Sequence, residues 1–379
     1  MPKILHISGD EKFIDAANYL YEKAFPNSNT FFIITANNKD YKLNYIKNIS
    51  NYTIYSKNRK SVNEISKQIK NYDLIVLHNL LCFHAKIVKK NPKAIYNWVF
   101  FGAEIYNRHN LFKNSILGDK TKKLIKKELI FKKYKTYLRN IIKYGVPNTV
   151  TYAFKYIKHI DYFTILHKEE YNLFLEKGIL DSKMKWLKYT YYPIEFIFNK
   201  NKDVKINGNN ILLGNSAALT NNSIEAIDIL KTLDLGDRKV IIPLSYGDLQ
   251  YIDDIINYGK KELGNNFYPI TNFMPLDDYN NMLQTCNVLI INSYRQQAVG
   301  NILASMWMGA KVFLDYRNTF YHYLKRIGCS VYLINDLSDT NLNNLSFEQI
   351  EYNRKILLQE IGEEIIVKTL KGDIINIIT

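Results

Sequence analysis

Short apolar runs alternate with longer amphipathic segments along almost the whole of this 379-residue chain. The apolar runs have the length of buried strands, and the segments between them repeat their apolar positions at helical spacing. The predicted strands are 4–8, 30–35, 53–56, 74–78, 95–101, 162–167, 211–213, 240–244, 266–270, 288–292, 312–315 and 331–334. The predicted helices include 12–24, 62–70, 223–232, 248–263 and 276–285.

This alternation predicts parallel sheets that are covered by helices on both faces. Because crossovers between parallel strands are right-handed, each half should form a Rossmann-like, doubly wound domain. Polar, turn-rich sequence near 199–210 predicts the boundary between domains at 1–200 and 208–345. Residues 346–379 are predicted to form a helical tail that braces the first domain. Two Rossmann-like domains that face each other across a cleft form the α/β architecture called GT-B.

Positive charge is concentrated in one part of the chain. The net charge is +15, and the window 113–143 contains eleven Lys and Arg residues against two acidic residues. Apolar side chains recur there at helical spacing, among them Leu124, Phe131, Leu138 and Ile141. A basic amphipathic helix is typical of a segment that binds an anionic membrane surface. A solvated lysine-rich helix is the ordinary alternative, and no nucleic-acid-binding motif accompanies the patch, so we expect no nucleic acid partner.

The cysteines and the hydropathy of the chain indicate where in the cell the protein is located. No run of 18 apolar residues occurs, and residues 3–7 predict a first strand rather than a secretory leader. Cys82, Cys286 and Cys329 are far apart and lie in or beside apolar segments. Reduced, buried cysteines are typical of a cytosolic protein.

The sequence Tyr294-Arg-Gln-Gln-Ala-Val-Gly-Asn301 follows a predicted buried strand and leads into a helix that ends at Gly309. A guanidinium and two amides at such a junction are suited to bind an anion together with the helix N-terminus. The candidate residues here are Arg295, Gln296, Gln297, Gly300 and Asn301. A surface salt bridge is the ordinary alternative for the arginine.

A second junction of this kind is Gly214-Asn215-Ser216, which follows the strand predicted at 211–213. Glycine permits close approach of the backbone, and Asn and Ser donate hydrogen bonds to phosphate oxygens. Tyr246 ends the next strand, where it either stacks on a base or covers the core. Two phosphate-capable junctions on one parallel sheet indicate a site for a nucleotide or a nucleotide-sugar.

In the first half, the strand predicted at 95–101 leads to Gly102 and then to Glu104. A carboxylate at that edge is a candidate general base, although a glutamate in a first helical turn also has a favourable interaction with the helix dipole. His78 and Asn79 end the preceding strand and are further candidates. Burial in the core is the ordinary alternative for the histidine.

Several chemistries are disfavoured by the motifs that the sequence lacks. It contains no G-x-G-x-x-G, P-loop, G-x-S-x-G or H-E-x-x-H motif, so we expect neither a redox cofactor nor kinase chemistry, and no other cofactor. None of the seven histidines pairs with another ligand at metal-binding spacing. The helix-starting pair Asp277–Asp278 is better explained by its place after Pro275 than by metal binding.

Taken together, these segments resemble the bacterial 4-alpha-L-fucosyltransferase family, glycosyl transferase family 56. The resemblance runs over most of the chain, and Gly214-Asn-Ser216 and Arg295-Gln-Gln297 are its most specific motifs. It extends to Trp98 with 102–106, and to 240–244 with Tyr246 and Gly247. Glu104 stands where the family typically has Asp, and Ala217-Ala218 follow the first motif where the family is usually polar.

The resemblance implies a metal-independent hexosyltransferase that moves a 4-acetamido-4,6-dideoxy sugar from a dTDP donor to a polyprenyl-diphosphate-linked saccharide. It implies a donor site on the second domain, an acceptor site on the first, and a place at the inner face of the cytoplasmic membrane, where the basic segment meets anionic head groups. Two alternatives remain open. One is a GT-B transferase that uses a UDP- or GDP-sugar on lipopolysaccharide or another glycan, and the other is a non-catalytic nucleotide-sugar-binding module.

Overall fold

The computed structural model describes residues 1–36, 42–106, 112, 115–124, 136–142, 149–198 and 204–379. The chain divides into two compact units. Unit 1 consists of Met1–Leu111, Glu128–Pro193 and Glu363–Thr379, and unit 2 consists of Phe112–Lys127 and Ile194–Gly362. Each unit is built around one parallel sheet, as the alternation of apolar and amphipathic segments predicts.

Unit 1 contains a seven-stranded parallel sheet in the order β3-β2-β1-β4-β5-β6-β7. Its central strands are short and fully buried because helices cover both faces. The strands are β1 Ile4–Ser8, β2 Asn29–Thr35, β3 Tyr52–Ser56, β4 Leu74–His78, β5 Tyr96–Val99, β6 Tyr162–Ile165 and β7 Lys185–Lys188. The helices are α1 Ile14–Ala24, α2 Arg59–Gln68, α3 Cys82–Lys90, α4 Ala103–Tyr106, α6 Thr149–Phe154, α7 Lys168–Glu176 and, at the end of the chain, α15 Glu363–Ile378.

Unit 2 contains a six-stranded parallel sheet in the order β10-β9-β8-β11-β12-β13. The strands are β8 Asn210–Leu213, β9 Val240–Pro243, β10 Phe267–Ile270, β11 Cys286–Ile291, β12 Lys311–Leu314 and β13 Val331–Leu333. The helices are α5 Asp119–Leu124, α8 Ile194–Phe198, α9 Ser223–Leu230, α10 Leu249–Leu263, α11 Leu276–Gln284, α12 Val299–Met308, α13 Thr319–Arg326 and α14 Phe347–Ile361. With both sheets in this order, the fold is GT-B.

The two helices of the predicted tail belong to different units. In α14, Arg354 is buried, and its guanidinium donates to the carbonyls of Trp307 (2.8 Å) and Val204 (3.1 Å), which ties this helix to unit 2. In contrast, α15 packs on α1 of unit 1, and its apolar side chains Ile366, Leu370 and Ile374 fill the same core as Leu20. The tail therefore contributes to the cores of both units.

A segment from the first half of the sequence belongs to unit 2. Thr121 of α5 is fully buried and donates from its backbone and hydroxyl to the Glu225 carboxylate, at 2.8 and 2.6 Å. Gly118 precedes it, and a Cβ at this glycine would lie only 2.1 Å from Glu225. A larger residue at 118 would therefore have to displace the Glu225 side chain from its bonds to Thr121. In the described part of the chain, none of the helices combines the length and the apolar composition that a bilayer crossing demands.

Candidate functional site

The strand order of unit 2 reverses between β8 and β11. These two strands are direct neighbours, with Leu213 beside Ile290, whereas β9 lies on the other side of β8. Loops that leave the carboxyl ends of two such strands run to opposite sides and open a crevice, which is where doubly wound folds bind their ligands. Both candidate loops of unit 2, at 214–222 and 292–298, leave the sheet at this switch point.

The Gln297 side chain joins the two loops. Its amide nitrogen donates to the side-chain oxygens of Asn215 (3.1 Å) and Asn221 (2.9 Å). Its amide oxygen accepts from the hydroxyls of Thr220 (2.7 Å) and Ser293 (3.4 Å). The structure thus brings two of the candidate residues, Asn215 and Gln297, into direct contact across the switch point.

Asn221 is a second connector, and the sequence motifs did not reveal it. Its side chain is 1% exposed, and its amide nitrogen donates to the Ser216 carbonyl at 2.6 Å. With the bond from Gln297, Asn221 holds the first loop against the second. It lies seven residues beyond Gly214, in a short 3₁₀ turn, so no local pattern distinguishes it from an ordinary turn asparagine.

Arg295 is half-buried in the second loop. Its guanidinium donates to the Gln296 carbonyl at 2.9 Å and to the Thr220 hydroxyl at 3.4 Å. Both bonds stay within the two loops of the switch point, so the positive charge is held at this edge of the sheet. The Thr220 hydroxyl, which also contacts Gln297, is a further member of the site that sequence reasoning missed.

Left-handed backbone occurs at three positions of these loops. Gly214 has φ +70°, which glycine adopts without strain, whereas Asn222 and Ala298 adopt φ 48° and 59°. Residues without this freedom that are held in such conformations concentrate at functional sites. Asn222 precedes α9 and Ala298 precedes α12, so each marks the sharp turn from loop into helix.

The first turn of α12 faces open space. A Cβ placed on Gly300 would meet no described heavy atom within 4 Å, so packing does not explain the glycine. The next residue, Asn301, donates from its side chain to the Tyr279 hydroxyl at 2.7 Å. Burial raises the pKa of Tyr279 far above its usual range, which keeps this hydroxyl neutral. Gly300 and Asn301 thus lie at the N-terminus of a ten-residue helix, where backbone N–H groups attract anions.

Tyr246 lies at the end of β9 with 60% of its side chain exposed. Its carbonyl accepts from Ala217 at 2.9 Å, and an isolated parallel bridge pairs Ala217 with Gly247. A Cβ on Gly247 would lie 2.5 Å from the Ala217 backbone. This close contact accounts for the glycine at 247, and the bond between Ala217 and the Tyr246 carbonyl fixes Tyr246 beside the first loop.

In unit 1, Glu104 lies in the first turn of α4 and is 2% exposed. One carboxylate oxygen accepts from Trp98 Nε1 and from the Phe101 backbone, both at 3.3 Å. Burial raises the pKa of Glu104 to about 7, against the opposing effect of these hydrogen bonds. Gly102, with φ 102°, makes the turn that directs the glutamate back under the edge of β5.

His78 is completely buried in a chain of hydrogen bonds in unit 1. Its ring contacts His6 at 3.0 Å and the Tyr191 hydroxyl at 2.7 Å, and His6 in turn contacts Asn29 at 3.2 Å. Burial lowers the pKa of both histidines, to about 3 for His6 and well below 6.5 for His78. Among the candidates of unit 1, His78 thus has the surroundings of a core histidine. The half-buried Asn79, with φ 85°, follows it at the end of β4.

Part of the predicted basic helix at 113–143 lies outside the described residues, namely 113–114, 125–135 and 143. The described parts are 115–124, which belong to unit 2, and 136–142, which are helical in unit 1. In the latter, Leu138, Ile141 and Ile142 are exposed at 57%, 47% and 87%.

A family model described as 4-alpha-L-fucosyltransferase, glycosyl transferase group 56, matches residues 178–356. This match supports the family predicted from the sequence. It covers most of unit 2, including both loops of the switch point.

Solved structures of glycosyltransferases share the fold over the full length of the chain. HepE of Anabaena, solved in complex with UDP and glucose, has a TM-score of 0.62 at 10% identity, over 99% of this chain and 100% of that chain. Sucrose-phosphate synthase of Thermosynechococcus elongatus has a TM-score of 0.61 at 10% identity, over 99% and 98%. A glycosyltransferase of Rickettsia africae has a TM-score of 0.59 at 13% identity, over 100% and 99%. These similarities confirm the predicted GT-B fold.

Proposed function

We propose that the chain is a member of the 4-alpha-L-fucosyltransferase family, glycosyl transferase group 56, whose model matches residues 178–356, and we propose the following reaction for it. It transfers a 4-acetamido-4,6-dideoxy hexose from a dTDP-sugar to a polyprenyl-diphosphate-linked saccharide. The product is an intermediate of a bacterial surface glycan. The reaction takes place at the inner face of the cytoplasmic membrane, where the basic segment 113–143 contacts anionic lipids.

One observation carries the donor assignment: the Gln297 side chain holds together two loops that leave adjacent strands at the switch point. Loops that are fixed before the ligand arrives bind it at a lower entropic cost. The donor diphosphate lies on Gly214, Asn215 and Ser216, and Tyr246 contacts the base or the ribose. Gln296 orients the donor beside Gln297.

Arg295 stabilises the negative charge that develops on the leaving nucleoside diphosphate. A fixed cation that is aimed at developing charge lowers the barrier, because the protein need not reorganise during the reaction. The backbone N–H groups at Gly300 and Asn301 add the positive end of the α12 dipole. Together these groups take the role that a divalent cation has in other glycosyltransferases, so the transfer proceeds without a metal.

The acceptor binds to unit 1, and Glu104 is the candidate base for its hydroxyl. A general base works best when its pKa lies near the working pH, and burial brings the pKa of Glu104 to about 7. In an inverting reaction, the carboxylate removes the proton of the attacking hydroxyl. In a retaining reaction, it orients the acceptor instead. Gly102 precedes Glu104 by two residues, and Asn79 follows β4, the strand next to β5. Both contribute to the acceptor site.

Thermal unfolding with dTDP, UDP, GDP and ADP, each at the same excess, tests the donor. A ligand at ~100 times its Kd adds about 2.7 kcal/mol to the free energy of unfolding. We expect dTDP to raise the unfolding temperature more than the other nucleotides do. If none of the four nucleotides raises it, the donor site proposed here is wrong.

A UDP-sugar donor is the second candidate, and the similarity to HepE, which was solved with UDP and glucose, favours it. A larger shift with UDP than with dTDP would select this candidate. Release of free nucleotide in the presence of a lipid-linked acceptor then separates a transferase from a non-catalytic binding module, which binds the donor but does not cleave it.

A further inference from the structure

A basic groove runs along the outside of unit 1, apart from the candidate residues of that unit. It has a volume of about 380 Å³ and is lined by Arg59, Val62, Lys86, Lys89, Lys90 and Tyr152. These residues come from α2, α3 and α6, and α6 packs directly against α3. The volume lies within the roughly 300–1,000 Å³ that small-molecule sites occupy. We call this feature the α2–α3 groove.

The lining of the groove is cationic and contains no carboxylate. Arg59, Lys89 and Lys90 are exposed, and no carboxylate of the described residues forms an ion pair with any of the three. The surrounding sequence is also strongly basic, since 57–93 contains nine Lys and Arg residues against two acidic residues, Glu64 and Asp73. A cluster of unneutralised cations costs self-repulsion, which an anionic partner would relieve.

The groove also has an apolar part, which is formed by Val62 and Tyr152. Val62 is buried at 3% exposure, and the Tyr152 ring lies beside Tyr156, with centroids 5.4 Å apart. The Lys89 ammonium lies 5.9 Å from the centroid of the Tyr156 ring. Cations beside tyrosines are typical of surfaces at the membrane interface.

We propose that the α2–α3 groove binds the phosphate head group of an anionic phospholipid and so docks unit 1 on the bilayer. The lysines and Arg59 contact the phosphate, and Tyr152 and Val62 contact the glycerol and the upper acyl chain. The inference rests on the proposed function only in its choice of a membrane as the partner. The docking surface is separate from the basic segment 113–143.

Vesicle binding of the full chain tests this proposal without any turnover. The probes are vesicles of phosphatidylcholine alone and of phosphatidylcholine with phosphatidylglycerol in equal parts. The groove variant carries Arg59→Gln, Lys89→Gln and Lys90→Gln. Because each basic residue near an anionic surface contributes roughly fivefold to binding, the groove variant should bind mixed vesicles about 100-fold more weakly.

A matched control removes the same charge elsewhere in unit 1. Lys183, Lys368 and Lys371 are exposed, and their replacement by Gln should leave vesicle binding within a fewfold of the natural chain. Equal losses in the two variants would show that only net charge matters, and no loss in either would place all binding in the basic segment; either result overturns the proposal. Tighter binding to duplex nucleic acid than to mixed vesicles, lost in the groove variant, would also overturn it. Lys89→Arg with Lys90→Arg should keep binding, which guards against a folding defect.

Since nucleotide-induced stabilisation is measured separately, the two proposals can fail independently. A chain that binds vesicles through the groove but is not stabilised by any nucleotide would retain this inference and lose the proposed donor site. The converse result would retain the donor site and remove the docking surface.

Discussion

Units 1 and 2 share the same strand order around their first strand, but different side chains occupy the switch points. In unit 1, β1 and β4 are joined by the buried pair His6 and His78, and the Tyr191 ring stacks on Phe101 with centroids 5.3 Å apart. In unit 2, the loops after β8 and β11 carry amides, hydroxyls and the guanidinium of Arg295. One edge is largely aromatic and neutral, and the other is polar with a fixed positive charge.

The difference shows that strand order and side-chain polarity determine different properties of a binding site. The reversal of strand order determines where a doubly wound sheet offers a crevice. The side chains that follow the strands determine its charge: the edge of unit 2 carries the guanidinium of Arg295, whereas the edge of unit 1 carries buried histidines and stacked aromatic rings. Each prediction below alters one of the two edges.

The largest effect is expected from Glu104→Gln, which removes the candidate base of unit 1 without changing the shape of the side chain. We expect kcat/KM to fall by about 10²–10⁴-fold. In the natural chain, the carboxylate must be ionised to act, so kcat/KM should rise with pH through about 7 and be lost below it. The pH dependence of kcat/KM for both chains is the measurement. A variant with the same acid limb as the natural chain would exclude Glu104 as the base.

The next effect concerns the charged edge of unit 2. Arg295→Ala should lower kcat by about 10²–10³-fold, because the leaving diphosphate loses a fixed cation. Arg238 provides a matched control in the same unit, since it contacts Asn209 and Asn287 near the amino ends of the strands. Arg238→Ala should therefore leave kcat nearly unchanged. Equal losses in the two variants would point to a structural defect rather than to catalysis.

The buried histidines of unit 1 predict that this unit is sensitive to acid. His6 keeps a pKa of about 3 in the folded chain, against 6.5 in the unfolded chain. Above 6.5 both states are neutral; below it only the unfolded state takes up the proton, so stability is lost as the pH falls from 6.5 to about 3. The slope is about 1.4 kcal/mol per pH unit for one such histidine.

Denaturant unfolding between those pH values measures this slope. His6→Gln should make it shallower, whereas replacement of the partly exposed His322 by Gln should not. An unchanged slope in the His6 variant would mean that this histidine becomes charged without unfolding the chain.

The smallest effect is expected from Asn221→Ala, which removes the side chain that links the two loops of unit 2 by hydrogen bonds. The Ser216 carbonyl and the Gln297 amide each lose a partner, at a cost of about 1–3 kcal/mol. We expect the KM for the donor to rise about tenfold, while the KM for the acceptor stays the same. Asn209→Ala at the opposite edge of the sheet is the control, and a rise of both KM values in the Asn221 variant would indicate a general loss of structure.

The sequence predicts the strands well because buried parallel strands are continuous apolar runs. Twelve of the strands in the described residues begin and end within about two residues of their predicted bounds, as expected when boundaries are the least reliable part of such predictions. The exception to the pattern is β7, which was not predicted. Its residues Lys185–Lys188 form an edge strand with lysine at both ends, so no apolar run marks it.

The candidate site is predictable only in part. The strand-to-loop positions of Gly214 and Arg295 can be read from local sequence, because each follows an apolar run directly. Thr220 and Asn221 join the site through hydrogen bonds to Gln297, which lies 77 and 76 positions further along the chain. No local sequence pattern contains such a pairing. The same reason applies to Thr121, whose partner Glu225 lies 104 residues further along the chain.

The path of α15 has a consequence for how this gene can be divided. The core around Leu20 is completed by Ile366, Leu370 and Ile374, so unit 1 can reach its final packing only after residues 363–378 have been synthesised. A chain divided near residue 200 would give a first fragment whose apolar core is exposed to water and a second fragment in which α15 lacks the helix on which it packs. Recombination that exchanges unit 2 should therefore succeed when its second crossover falls near Gly362, between α14 and α15.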